Sequence, residues 1–173
     1  ETKLVEQVID NPGFQNVSVH DPSIVLTDEE KYIIGSHMGV AKTDDLIKWH
    51  LVSESVATTE FFEDIYTELA EEFAYAQTDT LWASDIIQLE DGRYYMYYCL
   101  CEGASPRSVL GVAVADDVEG PYKKVETFLH SGSAETPDGK RYDATIHPNA
   151  IDPHVFFDKE GELWMVYGSY SGG

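Results

Sequence analysis

Three aspartates recur at one place in a repeated plan, and carboxylates gathered in that way are the raw material of acid–base catalysis. Asp21, Asp85 and Asp152 are spaced by 64 and 67 residues. Each stands at the head of a short apolar run, followed by an acidic turn and a second run rich in aromatic and β-branched residues. The paired runs are residues 20–26 with 31–36, 84–89 with 94–98, and 151–157 with 162–169. Carboxylates that share a site repel one another, which raises some of their pKa values and makes a proton donor or acceptor available near neutral pH. Asp-Pro is also a turn opener, because Asp bonds its own backbone and Pro fixes φ. For Asp21-Pro22 and Asp152-Pro153 that structural reading stands beside the chemical one.

The elements that must position these residues are hairpins. Asp91-Gly92 and Glu160-Gly161 supply the positive-φ residue a tight hairpin needs. Further strand candidates lie between the hairpins, such as residues 109–115 before the Gly120-Pro121 turn. A repeat of this length fits a four-stranded blade with an inserted loop, so the pattern predicts an all-β propeller in which each hairpin forms the inner strands of one blade. Corresponding residues of successive blades share radius and height about one axis. The three aspartates are therefore expected at one end of a central channel. The second strand of each hairpin returns to that end, and places His37, Cys101 and Ser169 there too, at 16, 16 and 17 residues after their aspartates.

One segment departs from the strand pattern. Between residues 60 and 76, Phe61, Ile65, Leu69 and Phe73 recur at helical spacing, which predicts a helical insertion with Thr59 as its cap. Acidic Glu60, Glu63 and Asp64 suit the positive end of its dipole. No Lys or Arg occurs between Lys48 and Arg93. The insertion is read as packing rather than as a site.

Composition bounds the partners. The chain has 173 residues, 43% apolar and 12% aromatic, which is enough for a packed core. No run approaches the ~20 consecutive apolar residues of a membrane helix. With 32 acidic against 11 basic residues and a net charge of −21, the surface repels phosphate backbones, so nucleic acid is excluded as an expected partner. Such a balance suits a neutral ligand or a bound cation. Cys99 and Cys101 are two residues apart, too close for an unstrained disulfide and too few for a metal site, and are expected to be free thiols. The chain begins with Glu1, and together with the acidic charge this leads to the expectation of a secreted, extracellular protein.

At these residues the sequence resembles glycoside hydrolase family 43. The resemblance is carried by Val19-His20-Asp21-Pro22-Ser23-Ile24, Leu81-Trp82-Ala83-Ser84-Asp85-Ile86-Ile87, and Ile151-Asp152-Pro153 leading to Tyr167-Gly168-Ser169. Residues 105–122 also look like the family's second-blade continuation. Within the family, the likeness is to the secreted endo-1,5-α-L-arabinanases, through residues 169–173 and the helical insertion. The resemblance implies a five-bladed β-propeller of which residues 1–173 supply roughly the first three blades, the N-terminal portion of a single catalytic domain. It implies inverting hydrolysis of internal α-1,5 bonds of arabinan or arabino-oligosaccharides, with Asp21 as the general base and Asp152 as a third carboxylate that tunes the acid. The acid is a glutamate on the next blade. By itself the chain is accordingly expected to be inactive, with a C-terminal fragment completing the propeller. Calcium is implied in the channel, its ligand histidine also outside this chain, and no metal ligand is assigned here.

Substrate-binding candidates follow. Trp82 offers a flat apolar face for a furanose, or is a core tryptophan. Ser169 could bond the ligand, or is a small residue closing a strand. His37 is a third candidate, and Asp85 is expected to fix the Trp82 loop, where Ser84 stands in place of the family's usual proline. Two alternatives remain on these residues: an exo-acting arabinofuranosidase or xylosidase, and a non-catalytic carbohydrate-binding fragment.

Overall fold

A computed structural model describes residues 17–102, 107–131 and 149–168. The first repeat is an antiparallel meander of β1 (Ser23–Leu26), β2 (Lys31–Ile34), β3 (Val40–Thr43) and β4 (His50–Ser53), paired in chain order. The second is a meander of β5 (Asp85–Gln88), β6 (Tyr94–Cys101), β7 (Ser108–Ala115) and β8 (Lys123–His130). The third contributes a hairpin, β9 (Ile151–Phe157) with β10 (Leu163–Gly168). The first strands of the three sheets are neighbours, β5 lying against both β1 and β9. The heads of the three hairpins are thereby brought close together.

The turns form for the expected reason. Gly92 and Gly161 take φ of 81° and 85°. Each closes the same loop: Gly92 N–H donates to Leu89 O at 2.9 Å and Gly161 N–H to Asp158 O at 3.0 Å. A non-glycine residue would strain there.

The helical segment is shorter than its periodicity suggests. It comprises α1 (Ile65–Glu68) and α2 (Ala70–Ala76), broken at Leu69. Its cap is Asp64 rather than Thr59: the Asp64 carboxylate accepts from Tyr66 N and Thr67 N, whereas Thr59 Oγ1 accepts only from nearby Phe61 N. Phe61 stays outside the helix because its carbonyl accepts from Tyr122 N at 2.6 Å, and both Phe61 and Phe62 pack on the Tyr122 ring. The phenyl rings at helical spacing are core residues that belong to the sheet contact.

The acidic insertion finds its countercharge on β8. Lys123 pairs with Glu63 at 2.9 Å and Lys124 with Glu72 at 2.6 Å. Glu72 is 2% exposed, and its carboxylate also accepts from Thr127 Oγ1. A buried charge is tolerated only with such a partner. Around this clamp one core joins the first two sheets and the helices, with Ile34, Met38, Leu69, Met96, Tyr98 and Tyr122 fully enclosed. A smaller core of Cys99, Cys101, Leu110, Ala150 and Ile151 joins the second sheet to β9. Both cysteines are buried and free, on one face of β6.

Candidate active site

Asp21 and Asp152 share an unusual backbone. Their φ angles are 50° and 52°, in the left-handed region, and each is followed by proline. Aspartate tolerates that region better than most side chains, yet two such residues at one repeat position mark a geometry the surroundings enforce. At Asp21 the enforcement is visible. The exit of β2 is tied back to the preceding residue, with Ser36 N donating to His20 O at 2.9 Å. Gly35 permits that approach, since a β-carbon there would lie 2.0 Å from His20 O. Ser36 Oγ is thereby placed to donate to Asp21 Oδ2 at 3.1 Å, and His20 Nδ1 meets the same oxygen at 2.8 Å.

Asp152 is anchored through its backbone, its N–H donating to Cys99 Sγ at 3.3 Å. Gly168 at the end of β10 passes beside its carboxylate. Asp21 and Asp152 together line a cavity of about 420 Å³, with Pro22, Ser84, Pro153 and His154 on its walls. Loss of surrounding water raises the Asp152 pKa above the usual carboxylate range, and the negative charge of Asp21 adds to the shift. This is the like-charge proximity that the repeat implied.

Asp85 departs from the expectation of three carboxylates at one mouth, and from the expectation that it fixes the Trp82 loop. It is 3% exposed and is the first residue of β5, in extended backbone with no proline after it. Its carboxylate accepts from Ser23 Oγ of β1 and from Val155 N of β9 at 2.7 Å, and pairs with His154 Nδ1 at 3.0 Å. Ser23 and His154 each stand two residues after an aspartate of the flanking repeats. Asp85 is thus a clasp between three sheets, beneath the cavity rather than within it.

The other expected residues separate. His37 is exposed, with φ 64°, and its Nδ1 contacts Thr80 Oγ1 at 2.7 Å. Neighbouring Ser36, not His37, reaches Asp21, because the chain leaves β2 through Gly35 and turns before the sixteenth residue. Cys101 lies against Asn149 rather than Asp85. Trp82 is half-buried: it packs on the smaller core, as a core tryptophan does, and one part of it lines a second cleft. Ser169 lies outside the described residues. Ser36, Ser23 and His154 were not singled out from the sequence. The signal for the last two was available as a shared offset from Asp21 and Asp152. Among the described residues, no three His, Cys, Asp or Glu side chains converge as ligands for a metal ion.

The fold is shared with known proteins. The family model "Glycosyl hydrolases family 43" matches residues 9–173. An extracellular endo-α-(1→5)-L-arabinanase of Bacillus subtilis is 57% identical over 164 residues, covering 94% of this chain and 35% of the relative. Among solved structures, the endo-1,5-α-L-arabinanase of Thermotoga petrophila superposes with a TM-score of 0.86 at 46% identity, covering 94% of this chain and 38% of that one. A family 43 glycoside hydrolase of Bacillus licheniformis gives a TM-score of 0.85 at 55% identity, with 92% and 37% covered. The chain therefore spans about a third of the length of the curated relatives it matches.

Proposed function

Because the chain belongs to glycosyl hydrolase family 43, we propose that it forms part of an extracellular enzyme that hydrolyses internal α-1,5-L-arabinofuranosyl bonds of arabinan with inversion. The observation that carries this reading is the pair Asp21 and Asp152, alike in φ and in sequence context, on one cavity. The names of the relatives supply the substrate, and their greater length supplies the rest of the domain.

In this reading Asp21 is the base. Its contacts from His20 and Ser36 both fall on Oδ2, which fixes the carboxylate plane and leaves Oδ1 to take a water. The water attacks the anomeric carbon as its proton passes to Asp21. A general acid on the opposite side of the sugar protonates the leaving oxygen, and inversion needs the two groups far enough apart to admit the water. That acid is a glutamate from a blade beyond these 173 residues, in a five-bladed propeller. Asp152 holds the sugar and sets the field in which the acid titrates, since a charge in a partly desolvated cavity acts strongly on its neighbours.

The exposed faces of the third repeat support a larger assembly. Trp164, Val166 and Tyr167 of β10 and Phe157 of β9 stand in solvent, an apolar surface suited to the strands of further blades. The test is chromatography of products from linear arabinan with the full-length protein. A ladder of oligosaccharides early in the digest is expected. Arabinose alone would assign an exo-acting arabinofuranosidase, and binding without any product would assign a silent carbohydrate-binding propeller.

A further inference from the structure

Beside the aspartate cavity lies a second cleft of about 580 Å³, at the point where α2 ends. Gln77, Thr78, Asp79 and Thr80 line one side, Trp82 another. Two short links join it to the first cavity. Ser36 bonds Asp21 while the next residue, His37, contacts Thr80. Trp82 lines the cleft while Ala83 and Ser84 line the aspartate cavity. Since adjacent residues are about 3.8 Å apart along the chain, the two depressions adjoin.

The chemistry of the cleft selects a class of ligand. Among the described residues, its walls carry an amide, two hydroxyls and carboxylates beside aromatic surface, and no lysine or arginine. Anions are therefore disfavoured, and a neutral polyhydroxylated ring is favoured, stacking its C–H face and bonding its hydroxyls. The rim is held in advance. Gln77 occupies the left-handed region at φ 56° and closes α2 with its N–H on Phe73 O, while Tyr66 Oη donates to Asp79 O at 3.3 Å. The Gln77 side chain itself is exposed at this edge.

We propose that the end of the helical insertion, with Gln77 as its hydrogen-bonding residue, forms a distal subsite for an arabinofuranosyl unit of the substrate chain. The proposal rests on the arabinanase reading given above. The insertion, read from sequence as packing alone, then also sets how long a substrate must be to bind well.

The experiment measures kcat/KM of the full-length protein on linear arabino-oligosaccharides of increasing length, for the parent, Gln77→Ala and Gln77→Gly. Both variants remove the amide, and glycine also removes any backbone cost in the left-handed region. The expected result is a loss of about tenfold in both, confined to oligosaccharides long enough to reach the cleft and carried mainly by KM. An equal loss at every length, a loss in Gln77→Ala that Gln77→Gly restores, or no loss at any length overturns the subsite. A parent that cleaves none of the oligosaccharides overturns the arabinanase reading itself, which separates the two failures.

Discussion

Replacing Asp21 by asparagine in the full-length protein is expected to lower kcat on arabinan by between about a hundredfold and ten-thousandfold, with KM little changed. That range is what positioned proton transfer contributes in enzymes generally. Asparagine keeps the shape of the side chain and a carbonyl oxygen to accept from Ser36, so the loss isolates proton acceptance from folding and binding. The same substitution carries a second, independent signature. Asp152 has its pKa raised first by loss of water and then by the charge of Asp21. Removing that charge lowers the Asp152 pKa toward the ordinary carboxylate value without reaching it, because the desolvation persists. A carboxyl carbon NMR titration of Asp152 in parent and variant reads this directly. Parent-like hydrolysis by Asp21→Asn would falsify the assignment of the base, and an unmoved Asp152 titration would show that the two carboxylates do not share a site.

The second large effect concerns stability. Asp85→Ala removes the acceptor for Ser23 Oγ, Val155 N and His154 at once. Val155 N is left without a partner at a buried position and Ser23 Oγ at a half-buried one, whereas the exposed His154 side chain keeps its water, so the loss is on the order of 2–4 kcal/mol. Asp85→Asn retains one oxygen acceptor at the same place and should lose on the order of 1–3 kcal/mol. Urea denaturation of the full-length protein separates the two, with the midpoint falling in the order parent, Asn, Ala. A loss below about 1 kcal/mol in Asp85→Ala would mean that the three sheets are held by apolar packing alone, and that the clasp contributes nothing.

These two aspartates also mark how far the sequence could be read. Asp21 and Asp152 were legible because their context repeats: an Asp-Pro step, an apolar strand, an acidic turn and an aromatic strand. Gly92 and Gly161 were legible for a local reason, the positive φ each hairpin requires. Asp85 shares the repeat position but not the role. Its partners lie 62, 69 and 70 residues away in the chain, and only the packing of three sheets brings them together. The same reason hides the start of α1. Periodicity carries the helix back to Phe61, whereas the carbonyl of Phe61 is taken by Tyr122 from a distant strand. His37 and Ser36 differ by one position, and a turn through Gly35 decides between them, which counting residues along a hairpin does not resolve. The cleft under Gln77 lay in a segment whose pattern shows only core residues, because its exposed edge has no periodic signal.

The central claim is that Asp21 activates water rather than attacking the sugar itself, and the configuration of the first product tests it most directly. Proton NMR of linear arabino-oligosaccharide hydrolysis by the full-length protein, recorded before mutarotation equilibrates the ends, reports the anomer released. A base acting through water inverts the α-linkage, so the newly formed reducing end is expected to appear first as the β-anomer. An α-anomer appearing first would require a covalent intermediate, and would contradict the role given to Asp21.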